Sequence, residues 1–515
     1  MSSEDIHFGV SEKSSPRPQD SSPDREPGIL HDARMDEFGK FLVPTPTTDD
    51  LDPLNWPNLQ KYTIVAIVCF SYFMLTYFTT APVPSFTLLQ VQFDATYSQV
   101  NWTFAIPALG LAAGPLFCSA LADIYGRRVV MIVGTTIALI SSGCTSIHGI
   151  SFGGYLAARF FQGFGIGPAA NVGLSIVNDI SWEHERGFRV GLWAMSANMG
   201  TLVGGLVGGF LATVDQYWIA YHVTMLFAVL LVLELFFLPE TLFPRTLVVS
   251  YEQNSDSQKI SESAPAGSAS SLKKTKQLGF LNFKKVPGIP HPKPYVTAVQ
   301  FCMIWSYPTI VLSTLAYVFF HYWWICSVLT MEPAAYYNYK LQIQGLFFLG
   351  LIVGVVLAEI FCSGRLSDWI HGGERLPEMR LWLGYPAAVV SSIGLIVWVL
   401  SIDRQWHWIT GQIAFFLYAA GLQIGNTVLS TYIVDNYPEH AMEVITFYTV
   451  IINMSAFINP WFINDWVEKS GYTWTFSAQA IICTFGIIPT YFVLQRYGPK
   501  LRRPMNLGFA DHIDP

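Results

Sequence analysis

The chain alternates between long apolar blocks and short polar breaks. Reading the blocks gives segments at 62–83, 100–121, 129–147, 152–176, 190–211 and 218–238. After a polar stretch from about 239 to 295 come 301–328, 344–362, 381–400, 409–432, 444–462 and 476–494. Each is close to the ~20 residues that carry a helix, at 1.5 Å per residue, across a hydrocarbon core of about 30 Å. Soluble helices show apolar residues on one face only; these blocks are apolar all round. The pattern predicts an all-α membrane protein of twelve transmembrane helices, in two sets of six.

Composition agrees. Hydrophobic residues make up 52% of the chain and charged residues 13%, too few charges to cover a soluble protein of this length. The first sixty residues are rich in Ser, Pro and acids. They read as a disordered tail with no cleavable signal, so the first span is expected to serve as the insertion signal. The seven cysteines are scattered singly and form no Cys/His cluster, so neither a disulfide framework nor a metal site is expected.

Charge sets the orientation. With the N-terminus inside, the inner short loops hold Arg127, Arg128, Arg186, Arg189, Arg365, Arg375 and Arg380, and the central linker and C-terminal tail add many more basic residues. The outer loops keep only Lys340, Arg404 and Lys469. Positive charge stays cytoplasmic, so both termini and the linker are expected inside. The organisation read from this is a tail over 1–60, a six-helix bundle over 61–239, a linker over 240–298, a second bundle over 299–495 and a tail over 496–515.

The bundles also read as repeats. The fourth span is followed by Asp179, Glu183 and His184 in the pattern D-x-x-x-E-H, and the tenth by Asp435, Glu439 and His440 in the same pattern. Cys118-Ser119, with Asp123 beyond, is echoed by Cys362-Ser363 and Asp368. Parallel repeats of this kind place a substrate site at their interface near mid-membrane.

Between the second and third spans the chain reads Ser119-Ala120-Leu121-Ala122-Asp123-Ile124-Tyr125-Gly126-Arg127-Arg128. Gly126 permits a tight reversal, and Asp123 can cap the next element or pair with an arginine. Such a loop can latch one access state. The run resembles the loop signature G-x-L-A-D-x-x-G-R-[RK] of the major facilitator superfamily, with Ser119 where glycine is usual. The second-half copy keeps Gly364, Leu366 and Asp368 but has His371 in place of the later glycine. Asp52-Pro53-Leu54-Asn55-Trp56-Pro57 resembles an element found before the first span in fungal members.

Arg159 and Gln162 lie one turn apart in the fourth span, and the run Arg159-Phe160-Phe161-Gln162-Gly163 resembles the family's R-x-x-Q-G, which is implicated in proton coupling. An arginine at that depth is costly in lipid and should face protein or water. In the fifth span Gly200, Gly204, Gly205, Gly208 and Gly209 strip the helix to backbone, which allows close helix contact. They resemble the antiporter signature G-x-x-x-G-P-x-x-G-G, with Gly205 where proline is usual. The resemblance runs from about Asp52 to Tyr497 and points to the twelve-span drug:proton antiporters of fungi.

Among other ionisable groups in the spans, Glu359 suits proton binding near the inner end of the eighth. Glu234 is expected to snorkel toward the exit of the sixth, and His321 to sit near the outer end of the seventh. Aromatic residues concentrate in the first and seventh spans, which are equivalent in the two halves. They make Tyr72, Phe73, Tyr77, Tyr317 and His321 candidates for a cavity that takes flat amphipathic molecules.

The expected function is proton-coupled efflux of small organic compounds by alternating access, with protons and lipid as partners. The protein is expected to be monomeric, in the plasma membrane rather than an internal one, with no cofactor, metal or nucleic acid. Uptake of a nutrient or organic cation, or sensing without transport, would use the same fold. No G-x-x-x-x-G-K-[ST] loop is present to drive the process with a nucleotide, and no histidine clusters mark a membrane-embedded enzyme.

Overall fold

A computed structural model describes residues 47, 49, 51–243, 248, 295–362, 377–437 and 440–505. All regular elements among them are helical. The spanning helices are α1 (Asn58–Phe93), α2 (Tyr97–Tyr125), α3 (Arg127–Thr145), α4 (Phe152–Asp179), α5 (Glu183–Leu211) and α6 (Gln216–Phe237). The second set is α7 (Pro308–Ala335), α8 (Leu341–Cys362), α9 (Pro377–Asp403) and α10 (Trp408–Asn436), followed by one helical run, Ala441–Leu501. That run breaks at Gly471, where φ is 75°, a value glycine adopts without strain. It therefore supplies two helices, α11 (441–470) and α12 (472–501). All twelve apolar blocks are helical, the seventh interrupted at 305–307 between a short helix, Val296–Ile304, and α7.

Local chemistry fixes several ends. Thr96 and Gln99 form a reciprocal capping box at the start of α2. Ser151 caps α4 by accepting from Gly154 N, and Asp215 caps α6 by accepting from Tyr217 N. Inside the spans, Pro107 and Pro115 interrupt the ladder of α2, Gly167-Pro168 tightens α4 into a short 3₁₀ turn, and α7 widens into a π turn over Val318–Tyr322.

The repeat seen in the sequence is a repeat of packing. In the first half α1 lies on α5, α2 on α4, α3 on α4 and α3 on α6; in the second half α7 lies on α11, α8 on α10, α9 on α10 and α9 on α12. The halves meet through α5 on α8 and α2 on α11. Faces turned away from these contacts expose Phe117, Phe236, Phe361 and Phe485, as lipid-facing helices do.

The glycines of α5 divide into two rows. Gly200, Gly204 and Gly208 lie against the backbone carbonyls of Phe73, Tyr77 and Ala81 on α1, where an added Cβ would overlap them. Gly205 and Gly209 face the other half instead: Gly205 meets the ring of Phe348 and Gly209 meets Gly345, both on α8. One row closes the first bundle, and the other lets the two bundles approach.

Candidate functional site

Between the halves lies a cavity of about 170 Å³, lined from both bundles. From α1 it receives Tyr72, Leu75, Thr76, Thr79 and Thr80; from α5 Trp193, Asn198 and Thr201; from α7 Tyr317, Tyr322 and Cys326; from α10 Gln423 and Asn426; and from α11 Tyr448 and Asn453. The α1 residues recur at helical spacing, so one stripe of that helix faces inward. Tyr72 stacks on Trp193, with ring centroids 4.0 Å apart and planes within 3°. Tyr448 donates to Asn426 Oδ1 at 2.5 Å. Among the described residues that line it, none carries a formal charge.

Of the expected cavity residues, Tyr72 and Tyr317 line it. Phe73, Tyr77 and His321 do not, which corrects the sequence reading. The Phe73 and Tyr77 rings lie 5.1 Å apart on α1, and the Tyr77 hydroxyl lies 3.4 Å from His222 Nδ1 on α6. His321 is in the middle of α7 rather than near its outer end. It is buried within the second bundle, its Nε2 lies 2.7 Å from Ser391 Oγ on α9, and its ring packs against Gly425 of α10.

A polar chain leads from the cavity to a carboxylate. Asn198 Nδ2 donates to Gln423 Oε1 at 2.6 Å across the halves, and Gln423 Nε2 donates to Glu359 Oε2 at 2.8 Å. Thr427 Oγ1 donates to the same oxygen at 3.0 Å. Glu359, near the inner end of α8, is thus one side chain removed from the cavity.

Arg159 and Gln162 come together as their spacing predicts, with Nη1 donating to Gln162 Oε1 at 3.2 Å. The guanidinium, 3% exposed, also donates to the backbone oxygens of Phe78, Thr79 and Thr103. It ties α4 to α1 and α2 and lines a separate, small cavity of about 30 Å³ inside the first bundle. It adjoins the central cavity through Thr79. Glu234 does not snorkel: it is fully buried and accepts from Ser71 Oγ on α1 at 3.0 Å. Carboxylates at such depth stay where a neighbouring helix supplies a donor.

At the cytoplasmic face, Arg127 forms an ion pair with Asp179, the aspartate of the first D-x-x-x-E-H copy. In the second half Arg380 pairs with Asp435 at 3.0 Å, the aspartate of the second copy. The repeat therefore marks one contact made twice, between the fourth helix of each half and the start of the third. Asp123 lies within electrostatic reach of Arg127, and also of Glu443 on α11 in the opposite half. Gly126, with φ 103°, turns the chain so that the amides of Arg127 and Arg128 donate to the two carboxylate oxygens of Glu240, just past α6. Arg128 also donates to Leu235 O at 2.6 Å. Asp368 and Gly364 of the second-half copy lie outside the described residues, as do the linker from 249 to 294, the chain before residue 47 and the tail past 505.

The outer end is closed. Tyr97 OH of α2 donates to Thr330 O of α7 at 2.8 Å, Asn101 Nδ2 donates to Asn464 Oδ1 at 3.2 Å, and Trp102 stacks on Trp461 at 4.8 Å. Behind these contacts is an acid that the sequence reading passed over. Glu332, on the last turn of α7, is 2% exposed, and neither of its oxygens has a hydrogen-bond partner. Hydropathy ends the seventh apolar block at 328, which leaves Glu332 outside it. The signal was the apolar Val328-Leu329 and Met331 flanking Thr330, which carry the helix one turn further.

Two six-helix repeats around a central cavity, closed on one side, are the architecture of a membrane transporter. The sequence profile of the Major Facilitator Superfamily matches residues 68–460, and the chain belongs to that superfamily. It is similar to an efflux pump, radE, of Floropilus chiversii, 26% identical over 88% of this chain and 83% of the pump. It is also similar to a probable drug/proton antiporter of Saccharomyces cerevisiae, 23% identical over 88% of this chain and 86% of that protein. Among solved structures it shares its fold with a D-xylose-proton symporter, at a TM-score of 0.60 and 14% identity, covering 83% of this chain and 97% of the symporter.

Proposed function

We propose that the protein exports small, uncharged, aromatic organic compounds in exchange for protons. The observation that carries this reading is the cavity itself. Its paired Tyr72 and Trp193 rings offer flat stacking surfaces, and Asn198, Gln423, Asn426 and Asn453 offer donors and acceptors without a fixed charge. Such a site accepts planar molecules bearing hydroxyl or carbonyl groups and gives a cation or anion no counter-charge. The relatives described as an efflux pump and a drug/proton antiporter support export as the direction. Glu359, bonded to cavity-lining Gln423, is the proton carrier in this scheme: the exchange of its proton alters the Gln423 amide that meets both substrate and Asn198. The protein acts as a monomer in the plasma membrane, where export clears the cell.

The test compares retention of a panel of planar neutral compounds in cells with and without the protein, each with and without a protonophore. Lower retention that the protonophore reverses is the expected result. Greater accumulation in the cells that carry the protein would mean uptake, and equal retention across the panel with the protein present at the membrane would mean no transport of this class.

A further inference from the structure

Glu332 has no part in the cavity or in the chain that ends at Glu359. It is 2% exposed, and both carboxyl oxygens are buried without a hydrogen-bond partner. It stands at the contact that closes the outer face, two residues beyond Thr330, whose carbonyl accepts from Tyr97 of the opposite half. The titratable groups within electrostatic reach of it are Tyr97 of α2 and Tyr336 at the end of its own helix, and Tyr472 of α12 lies within reach of Tyr97. All three are neutral at ordinary pH. Among the described residues no cation pairs with it.

An ionised carboxylate has two ways to be satisfied, a partner or water. The closed arrangement gives it no protein partner among the described residues and seals it from bulk solvent. Parting α2 from α7 at Tyr97 and Thr330 would let external water reach the group. The charged form of Glu332 is therefore compatible with a separated outer face, and the neutral acid with a closed one.

We propose that Glu332 is an outer proton site: uptake of a proton from the external side permits the two halves to close there, and loss of that proton to external water favours opening. The inference deepens the proton-coupled reading by naming where the external proton acts, and its test requires no transported compound. Cys326, six residues inward on the same helix and about 9 Å along its axis, lines the central cavity and is buried. It reports when the outer face opens.

Intact cells are treated with a membrane-impermeant thiol reagent over a range of external pH, and modification is read at the Cys326 peptide by mass spectrometry. The rate in the unaltered protein is divided by that in Glu332→Gln, which removes the thiol's own response to pH. The ratio should rise with external pH, by up to about tenfold per unit while the acid is mostly protonated. Glu332→Asp, which keeps a carboxyl, should restore a rising ratio. Glu332→Met serves as a second neutral variant if the amide fails to reach the membrane. A ratio that stays constant with pH overturns the proposal, whether or not the protein proves to be an exporter.

Discussion

Asn198 of the first bundle donates to Gln423 of the second at 2.6 Å, and Gln423 in turn donates to Glu359. One amide thus serves the wall between the halves and the acid behind it. Glu359→Gln keeps the size of the side chain but removes its exchangeable proton. It should leave substrate binding within a few-fold of normal while abolishing the response of transport to a pH gradient, read in reconstituted vesicles. Asn198→Ala removes one neutral hydrogen bond, worth about 0.5–1.5 kcal/mol. It should change the rate of exchange without removing that response.

The two glycine rows of α5 differ in what they oppose, so they should differ in what rescues them. At Gly208 an alanine methyl meets the backbone carbonyl of Ala81, which cannot move without shifting α1. Gly208→Ala should lower the thermal stability of the purified protein, by about 1–3 kcal/mol, with no single rescue on α1. At Gly205 the obstacle is the Phe348 ring, across the interface on α8. Gly205→Ala should be rescued by Phe348→Leu, so that the double variant is closer to the unaltered protein than the sum of the two singles. The check is melting temperature in one detergent for all variants.

Much of this was legible in the sequence, and the rest failed for identifiable reasons. Span length and apolarity located all twelve helices, because the bilayer allows few alternatives. The spacing of Arg159 and Gln162 put them on one face, and so it did for Gly200, Gly204 and Gly208. What helical spacing does not reveal is which neighbour a face meets. Phe73 and Tyr77 carry the same aromatic signal as Tyr72 but do not line the cavity, and Gly205 gave no hint of Phe348. Glu234 lies inside its block but near enough to the exit to be expected to snorkel, and Glu332 lies past the end of its block, where hydropathy fades before the helix does.

Arg127 with Asp179 and Arg380 with Asp435 are equivalent pairs in unequal surroundings. The side chains of the first are 14% and 23% exposed, those of the second 19% and 36%. Asp435→Asn should therefore cost no more than about 1 kcal/mol, the range of exposed pairs, and Asp179→Asn should cost more. Melting curves at low and high salt separate them: added salt should narrow the difference between Asp435→Asn and the unaltered protein, and change that for Asp179→Asn less.

Glu240 holds the entry to α3 by accepting from the amides of Arg127, Arg128 and Leu242. Burial pushes its carboxyl above the ordinary glutamate range, against the opposing pull of those amides and of Arg127. The folded protein therefore binds this proton more readily than the unfolded chain does. The stability this gives is fully present below the ordinary value and lost as pH rises through the raised one. Glu240→Gln keeps one acceptor oxygen and removes the titration. Its melting temperature should fall less than that of the unaltered protein as pH is raised through that window. Glu240→Ala leaves two backbone donors at the helix start without their acceptor, at a cost of about 1–3 kcal/mol, and should melt below Glu240→Gln throughout. Parallel pH profiles for the unaltered protein and Glu240→Gln would show that the carboxylate is equally at ease folded and unfolded, and that the three amides outweigh burial.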